Sequence, residues 1–552
     1  MRGINLIQWL FKKRLGRESR RALAELTSTA KRHEETLARE LARLSEATGA
    51  TIALGTTEWG QAMRLSAKEI ANHSLIVGAS GSGKSFLALS LICQLLDQFT
   101  ASPGITFGIL DAKGELFERV LSYVYAFLYR MMPEDRERFK KRIVTIDFAN
   151  PESITPYNIL APQRHLTDEI MVANRIDTIS EQFAGLSEMS VRMKMILKYF
   201  LLLLTEFKLL VPMFEKLCSD PVLLEALVER SANLQVKDYF LYRFDDESKA
   251  TLLALRQRME SLFISESVRL SLSAQTAPDF AQLQDTGAII LINTAGSNIS
   301  RGVSQLLQNL LLSDLKQSVF RRTNPEQKVV WFLDEAQEIY KSKVNKEHMV
   351  DLLTMAPSFG SFFSLITQSL TSAVRDADVL NSILTNVRWL IMLRSTLRDA
   401  ELIAPGIALT GRLLKPQYNP FEPAKVMSES EEMKARLKEI TNLQDREAYC
   451  WLKAFADKAM KIRTPLVPKP HELAGCSQGA FEEFMRSERI GQGLTKDEIK
   501  RTVLKRQQEL RRLIRPSIRQ ETPDTNQNVR KPVKETLVKA LEETYAKKRG
   551  RK

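Results

Sequence analysis

Cysteine is scarce. The 552 residues hold four, Cys93, Cys218, Cys450 and Cys476, far apart and with no Cys-x-x-Cys pair. The five histidines form no metal-spaced cluster. A disulfide scaffold and a structural zinc site are therefore excluded, and a reducing compartment is expected. A long uncharged apolar run is also missing. The most apolar window, ILKYFLLLLTEFKLLV (196–211), contains Lys198, Glu206 and Lys208, which suits a buried helix and not a membrane span. The N-terminal INLIQWLFKKR is too short to cross a bilayer and carries its charge after the apolar part, which excludes a secretory signal. It suits a short anchor lying on a membrane surface, or a segment packed on a neighbour.

What remains is a globular composition, 44% hydrophobic and 26% charged, with a net charge of +14. The charge sits at the ends. Residues 1–50 hold eleven Lys and Arg against six Asp and Glu, and residues 471–552 hold twenty against twelve, so only +1 falls on 51–470. Basic ends point to nucleic acid, an acidic partner or an anionic membrane surface, or are simply solvated tails.

Five segments follow from the pattern. Residues 1–50 read as an amphipathic helical N-terminal extension, with Leu23, Leu26, Ala30, Leu37 and Leu44 at near-heptad spacing. Residues 51–164 alternate strands with helices: SLIVG (74–78), GITFGILD (104–111) and RIVTIDF (142–148) are apolar strands of the kind a parallel sheet buries on both faces. Residues 165–285 show helical periodicity and read as an all-α insertion. Over 286–470 strands resume with GAIILINTA (287–295), KVVWFLD (328–334), FFSLITQS (362–369) and RWLIMLRS (388–395), and then a final antiparallel pair, REAYCWL (446–452) and MKIRTPLV (460–467). Residues 471–552 form a basic helical and disordered tail, with 515–532 a disordered linker and AKKRGRK a flexible end. The fold class is α/β: a mainly parallel sheet with an inserted all-α domain and helical extensions at both ends.

The chemistry begins at GASGSGKS, Gly78, Ala79, Ser80, Gly81, Ser82, Gly83, Lys84 and Ser85, which fits G-x-x-x-x-G-K-[ST] between a buried strand and a helix. The glycines let backbone N–H groups turn inward onto phosphates. Lys84 supplies a cation to the β- and γ-phosphates of ATP, and the Ser85 hydroxyl completes a Mg²⁺ shell. VVWFLDEAQEIY (329–340) is an apolar strand ending in two acids. Asp334 is placed to hold Mg²⁺ through water and Glu335 to orient or deprotonate the attacking water, unless Asp334 merely caps the next helix. Gln368, at the end of SLITQS, faces the ligand edge or caps the following segment. Arg375, Arg388, Arg394 and Arg398 follow that strand, and spacing singles out none of them as an arginine finger.

The stretch GILDAKGEL (108–116), followed by IVTIDFANPESITPYNIL (143–160), resembles the coupling ATPases of type IV secretion and conjugation, the TraG/TraD class within the HerA/FtsK-like P-loop superfamily. In that class a strand after the P-loop helix ends in Asp-x-Lys-Gly-Glu, and an Asn-Pro-Leu-like motif follows. Here TPYNIL has Ile159 in place of the proline. The resemblance covers about 70–165 and 285–470, and matches the insertion only in kind. It implies a RecA-like motor, a ring of six, that uses ATP and Mg²⁺ to move single-stranded DNA with its relaxase toward the channel components of a type IV system. It assigns nucleotide roles to Lys84, Ser85, Asp334, Glu335 and Gln368, and leaves the roles of Asp111 and Lys113 open. Most of the class carry N-terminal transmembrane helices. The expected place is the bacterial cytoplasm, peripheral at the inner face of the cytoplasmic membrane, with contact direct or through a partner. The alternative is a soluble HerA/FtsK-like translocase or the hexameric assembly ATPase of type IV systems.

Overall fold

The structure is a computed structural model. It describes residues 51–101, 104–161, 169–184, 189–407, 415, 426–453, 459–491 and 493–518, together with Glu35, Thr36 and Arg39. The heptad-like stripe of the N-terminal segment (apart from those three residues), INLIQWLF and the basic end beyond 518 lie outside the described residues. Contacts divide the chain into two compact units, Met1–Ile146 with Phe280–Asn293 and Asp314–Gly491, and Asp147–Asp279 with Thr294–Ser313 and Gln492–Lys552.

An eleven-stranded sheet organises the first unit. Its strands are β1 (Ile52–Thr57), β2 (Ala62–Leu65), β3 (Ser74–Val77), β4 (Ile105–Asp111), β5 (Ile143–Asp147), β6 (Ile289–Asn293), β7 (Lys328–Leu333), β8 (Ser361–Thr367), β9 (Trp389–Leu393), β10 (Glu447–Leu452) and β11 (Met460–Arg463). The order is β2-β1-β11-β10-β9-β3-β8-β7-β4-β6-β5. From β9 to β6 every pairing is parallel. From β9 outward through β10, β11, β1 and β2 every pairing is antiparallel. The expected pair at 446–467 is β10 and β11, in register Tyr449↔Lys461. Strands β3, β6, β8 and β9 are buried at every position, as the apolar runs require of strands covered on both faces. One strand, β8, lies between the P-loop strand β3 and the strand β7 that precedes the two acids, and β4 follows β7. This is the RecA-like arrangement.

Helix α1 (Lys84–Ala101) follows β3, and α2 (Glu115–Arg130) follows β4. Tyr123, Tyr125, Phe127 and Val124 of α2 are buried. Part of that cover comes from far along the chain: the Tyr123 hydroxyl donates to the Pro468 carbonyl, Phe484 lies edge-on to Tyr129 with centroids 5.0 Å apart, and Glu488 takes Arg136 at 3.1 Å and Lys140 at 2.8 Å. The helices Pro470–Ala474 and Gln478–Ser487 thus pack into the sheet unit's core. By sequence pattern, residues 471 onward read as part of the tail.

Among its described residues, 169–279 of the second unit contain helices and no strand. Helix α3 (Val191–Glu206) holds residues 196–206 of the apolar window, and the chain leaves it at Phe207. It starts at Ser190, whose hydroxyl accepts from Met193 N at 3.2 Å. Two of the window's charges have partners: Lys198 meets Asp177 at 2.6 Å, and Glu206 accepts from the Ser231 hydroxyl. Phe200 of α3 packs edge-on to Phe214 and Phe240, and Tyr199 stacks on Tyr239 at 3.9 Å. Helix α4 (Asp246–Leu262) packs on α3. Helix α5 (Lys496–Ile518) opens with a reciprocal Thr495–Glu498 cap and buries Ile499 against Ile154 and Leu270. No helix among the described residues is long and apolar enough to cross a membrane.

Candidate functional site

Parallel strands bring their C-terminal ends to one edge, and the loops after β3, β4, β7 and β8 meet there. The loop after β3 is held from beneath. Gly78 N donates to the Thr367 carbonyl at 3.2 Å and Ala79 N to the Arg394 carbonyl at 2.7 Å, which ties the loop to the ends of β8 and β9. Gly81 and Gly83 then take φ of +75° and +100°, a region costly for residues with a Cβ. The chain turns through them into α1, whose first-turn N–H groups lack intrahelical partners and suit an anion. The Lys84 ammonium donates to the Ala79 carbonyl at 3.0 Å. Burial lowers its pKa, against the pull of Glu335 and Asp334, and nearby Lys113 adds repulsion. Ser85 is half-buried on the first turn of α1.

Asp334 follows β7 and is buried. Its N–H donates to the Leu110 carbonyl at 3.0 Å, fixing the end of β7 to β4. Burial first, then the charges of Asp111 and Glu335, push its carboxyl up to about 7. The Asp334 carboxylate and the Ser85 hydroxyl are oxygen donors of the kind Mg²⁺ takes, and a cation bound there would offset the repulsion from Asp111 and Glu335 that adds to burial in raising Asp334.

Glu335 has φ +53° and ψ +43°, left-handed and unusual for a residue with a side chain. Its side chain is 8% exposed. Burial alone would raise its pKa. The Lys113 ammonium and the amides of Gln368 and Gln337 outweigh that and hold it below the usual carboxylate value, so Glu335 is ionised. Gln368 Nε2 lies 3.0 Å from Oε1 and 3.1 Å from Oε2, Lys113 Nζ donates to Oε1 and Gln337 Nε2 to Oε2. The structure therefore places Gln368 on the Glu335 carboxylate.

Asp111 and Lys113 separate in role. Asp111 is fully buried, with one oxygen taking the Lys113 N–H at 2.8 Å and the other the Phe117 N–H at 2.9 Å. It shapes the turn and the start of α2. Gly114, at φ +85°, completes the turn where a Cβ would come within 3.2 Å of Asn293 Oδ1. This holds the backbone so that Lys113 extends toward Glu335, 222 residues away in sequence. Gln337 is a site residue that the sequence pattern does not single out; its only signal is a polar side chain two residues beyond Glu335.

A 680 Å³ cavity opens beside these groups, lined among others by Lys113, Glu335, Gln368, Lys341, Lys346 and Arg375. Of the four candidate arginines, Arg375 lines it. Arg394 pairs with Asp445 at 3.4 Å.

Residues 53–269 match the family DUF87, described as the central domain of the helicase HerA. A comparison with curated proteins gives no match. Among solved structures, the bacterial conjugative coupling protein TrwB lacking its N-terminal segment is 16% identical, with 78% of this chain and 92% of that one covered and a TM-score of 0.47. VirB4 of Thermoanaerobacter pseudethanolicus is 15% identical, with 77% and 98% covered and a TM-score of 0.44. With identities and scores this low, the fold assignment rests on the sheet order and the phosphate loop. The chain carries a P-loop ATPase core, and the HerA-type match lies within residues 53–269 of it.

Proposed function

We propose that this chain, a P-loop ATPase with a HerA-type match over residues 53–269, is an ATP-driven DNA translocase of a type IV secretion or conjugation system, acting as its coupling protein. The loop 78–85 binds the phosphates of ATP, with Lys84 on the β- and γ-phosphates. Ser85 and Asp334 hold Mg²⁺, which neutralises developing phosphate charge when bound. Glu335 accepts a proton from the attacking water, and Gln368 orients the carboxylate that does so. Six copies form a ring peripheral to the inner face of the bacterial cytoplasmic membrane, which delivers single-stranded DNA with its relaxase to the channel.

The observation that carries the ATPase part is Glu335, buried and ionised at the end of β7 within electrostatic reach of Lys84, with Gln368 from the neighbouring strand on its carboxylate. The DNA-transfer part is supported by the Asp-Ala-Lys-Gly-Glu and TPYNIL stretches and by the basic ends. The test is ATP turnover with and without single-stranded DNA, beside Lys84→Ala. Stimulation by DNA, with turnover lost in Lys84→Ala and DNA transfer lost with it, is expected. Turnover indifferent to every nucleic acid would reject the translocase reading.

The HerA match favours a second reading, a HerA/FtsK-like translocase or assembly ATPase that is not the coupling protein. Stimulation by duplex in preference to single-stranded DNA, with no binding of a relaxase, would select it. Removing residues 519–552, which hold ten Lys and Arg against five Asp and Glu, should weaken DNA binding and flatten its salt dependence under either reading. An unchanged salt slope would show that the DNA contacts lie elsewhere.

A further inference from the structure

An ionised carboxylate has about four lone-pair positions, and a general base needs one of them for the proton it takes. On Glu335 three donors crowd the two oxygens, with the Gln368 amide shared between them. Lys113 and Gln368 donate to Oε1, and Gln368 and Gln337 donate to Oε2. In this arrangement both oxygens are already capped, and an attacking water gains full access to one of them when a donor leaves.

The three donors are not equally free to go. The Gln337 amide is fixed at its other end, where its Oε1 accepts the Thr367 hydroxyl at 2.8 Å and the Gln368 N–H at 3.3 Å. Gln368 bridges both carboxylate oxygens and joins Gln337 through its backbone. Lys113 is different. Its side chain is 50% exposed where that of Glu335 is 8%, and it lines the 680 Å³ cavity. Its backbone is pinned by Asp111 and by the left-handed Gly114, so a change of partner needs only side-chain torsions. An ammonium on a four-carbon stem bonds without a fixed direction and exchanges one anion for another readily. Lys113 is also close enough to Lys84 to repel it, so both cations share the region where the phosphate loop presents its ligand.

We propose that Lys113 is a latch on the general base: in the closed arrangement it occupies Glu335, and the γ-phosphate of ATP draws it away, vacating the lone pair that receives the attacking water. The proposal rests on the ATPase reading. It makes Lys113 a positioning residue that couples occupation of the γ-phosphate site to release of the base, and it gives the lysine of Asp-Ala-Lys-Gly-Glu a task distinct from that of its aspartate.

The test is a binding cycle on the full chain, using AMP-PNP and ADP with the parent protein, Lys113→Met, Glu335→Gln and the double variant. Lys113→Met should lower affinity for AMP-PNP about tenfold, the scale of one charge-assisted bond, and leave ADP affinity unchanged. Lys113→Arg should restore most of the loss. Glu335→Gln frees the lysine and should raise AMP-PNP affinity, by more in the parent than in the Lys113→Met background. An equal or smaller gain in the parent would mean that Lys113 stays on the carboxylate when the γ-phosphate arrives, and would overturn the latch. Retained ADP affinity shows that each variant is folded; where Lys113→Met loses it, Lys113→Gln takes its place in the cycle. If Lys84→Ala binds both nucleotides as well as the parent, the ATPase reading fails, and the latch fails with it.

Discussion

The parallel and antiparallel parts of the sheet each gather a lysine and carboxylates, and they do so in opposite senses. On β11, Lys461 is surrounded by Glu58 at 3.2 Å, Glu439 at 3.2 Å and Glu447 at 3.6 Å. Burial alone would lower its pKa, and Glu439 and Glu58 outweigh that and raise it. At the end of β7 the anion is the one surrounded, Glu335 by a lysine and two amides. Strand direction accounts for the difference. In β10 and β11 successive ends point opposite ways, so polar groups meet across the face of the ladder, as Tyr449 and Lys461 do, and stitch it. In β3, β4, β7 and β8 all the ends point one way, so groups from four loops converge on one atom set. An enclosed cation stabilises a surface; an enclosed anion at converging loops suits the role of base proposed for Glu335.

The contrast breaks first at Glu335. Glu335→Gln should lower kcat by about a hundred- to ten-thousand-fold while nucleotide still binds; a kcat within a few-fold of the parent would remove Glu335 from the role of base. The next effect is a pH dependence of stability. The Asp334 carboxyl is raised from 3.8 to about 7, so the folded protein holds a proton that the unfolded chain gives up. Its contribution is full below about pH 4 and is lost as pH rises through about 7. In chelator, thermal stability should decline over that window more steeply in the parent than in Asp334→Asn, and Mg²⁺ with nucleotide should offset the decline. Identical slopes in the two proteins would assign the charge stress elsewhere. The smallest effect belongs to Lys461→Met. Its partners are part-exposed, so the change should cost about 1 kcal/mol or less in a denaturant titration and leave turnover unaltered. A loss of turnover there would erase the distinction between the two parts of the sheet.

The elements that carry this comparison were unequally legible in the sequence. The phosphate loop, the strand ending in Asp334 and Glu335, and the fully apolar strands announce themselves, because their chemistry is local. The β1–β2 hairpin does not, since IALGTT and AMRL are short and the antiparallel partner of IALGTT in β11 lies some 400 residues on. The contact of Lys113 with Glu335 follows from β4 lying beside β7, a strand order that apolar runs do not specify. Asp111 could be read as a capping aspartate, and its two backbone partners make it one. Lys113, two residues later, has no local partner to betray its role.

The segment 468–488 has a practical consequence. It covers the tyrosine-rich face of α2, the helix that begins directly after Lys113 and Gly114. Any shortened form of the protein meant to shed basic charge at the C-terminus must be cut beyond Glu488. A cut at 471 would bare Tyr125, Tyr129 and their apolar neighbours to water, trading a question about charge for one about solubility.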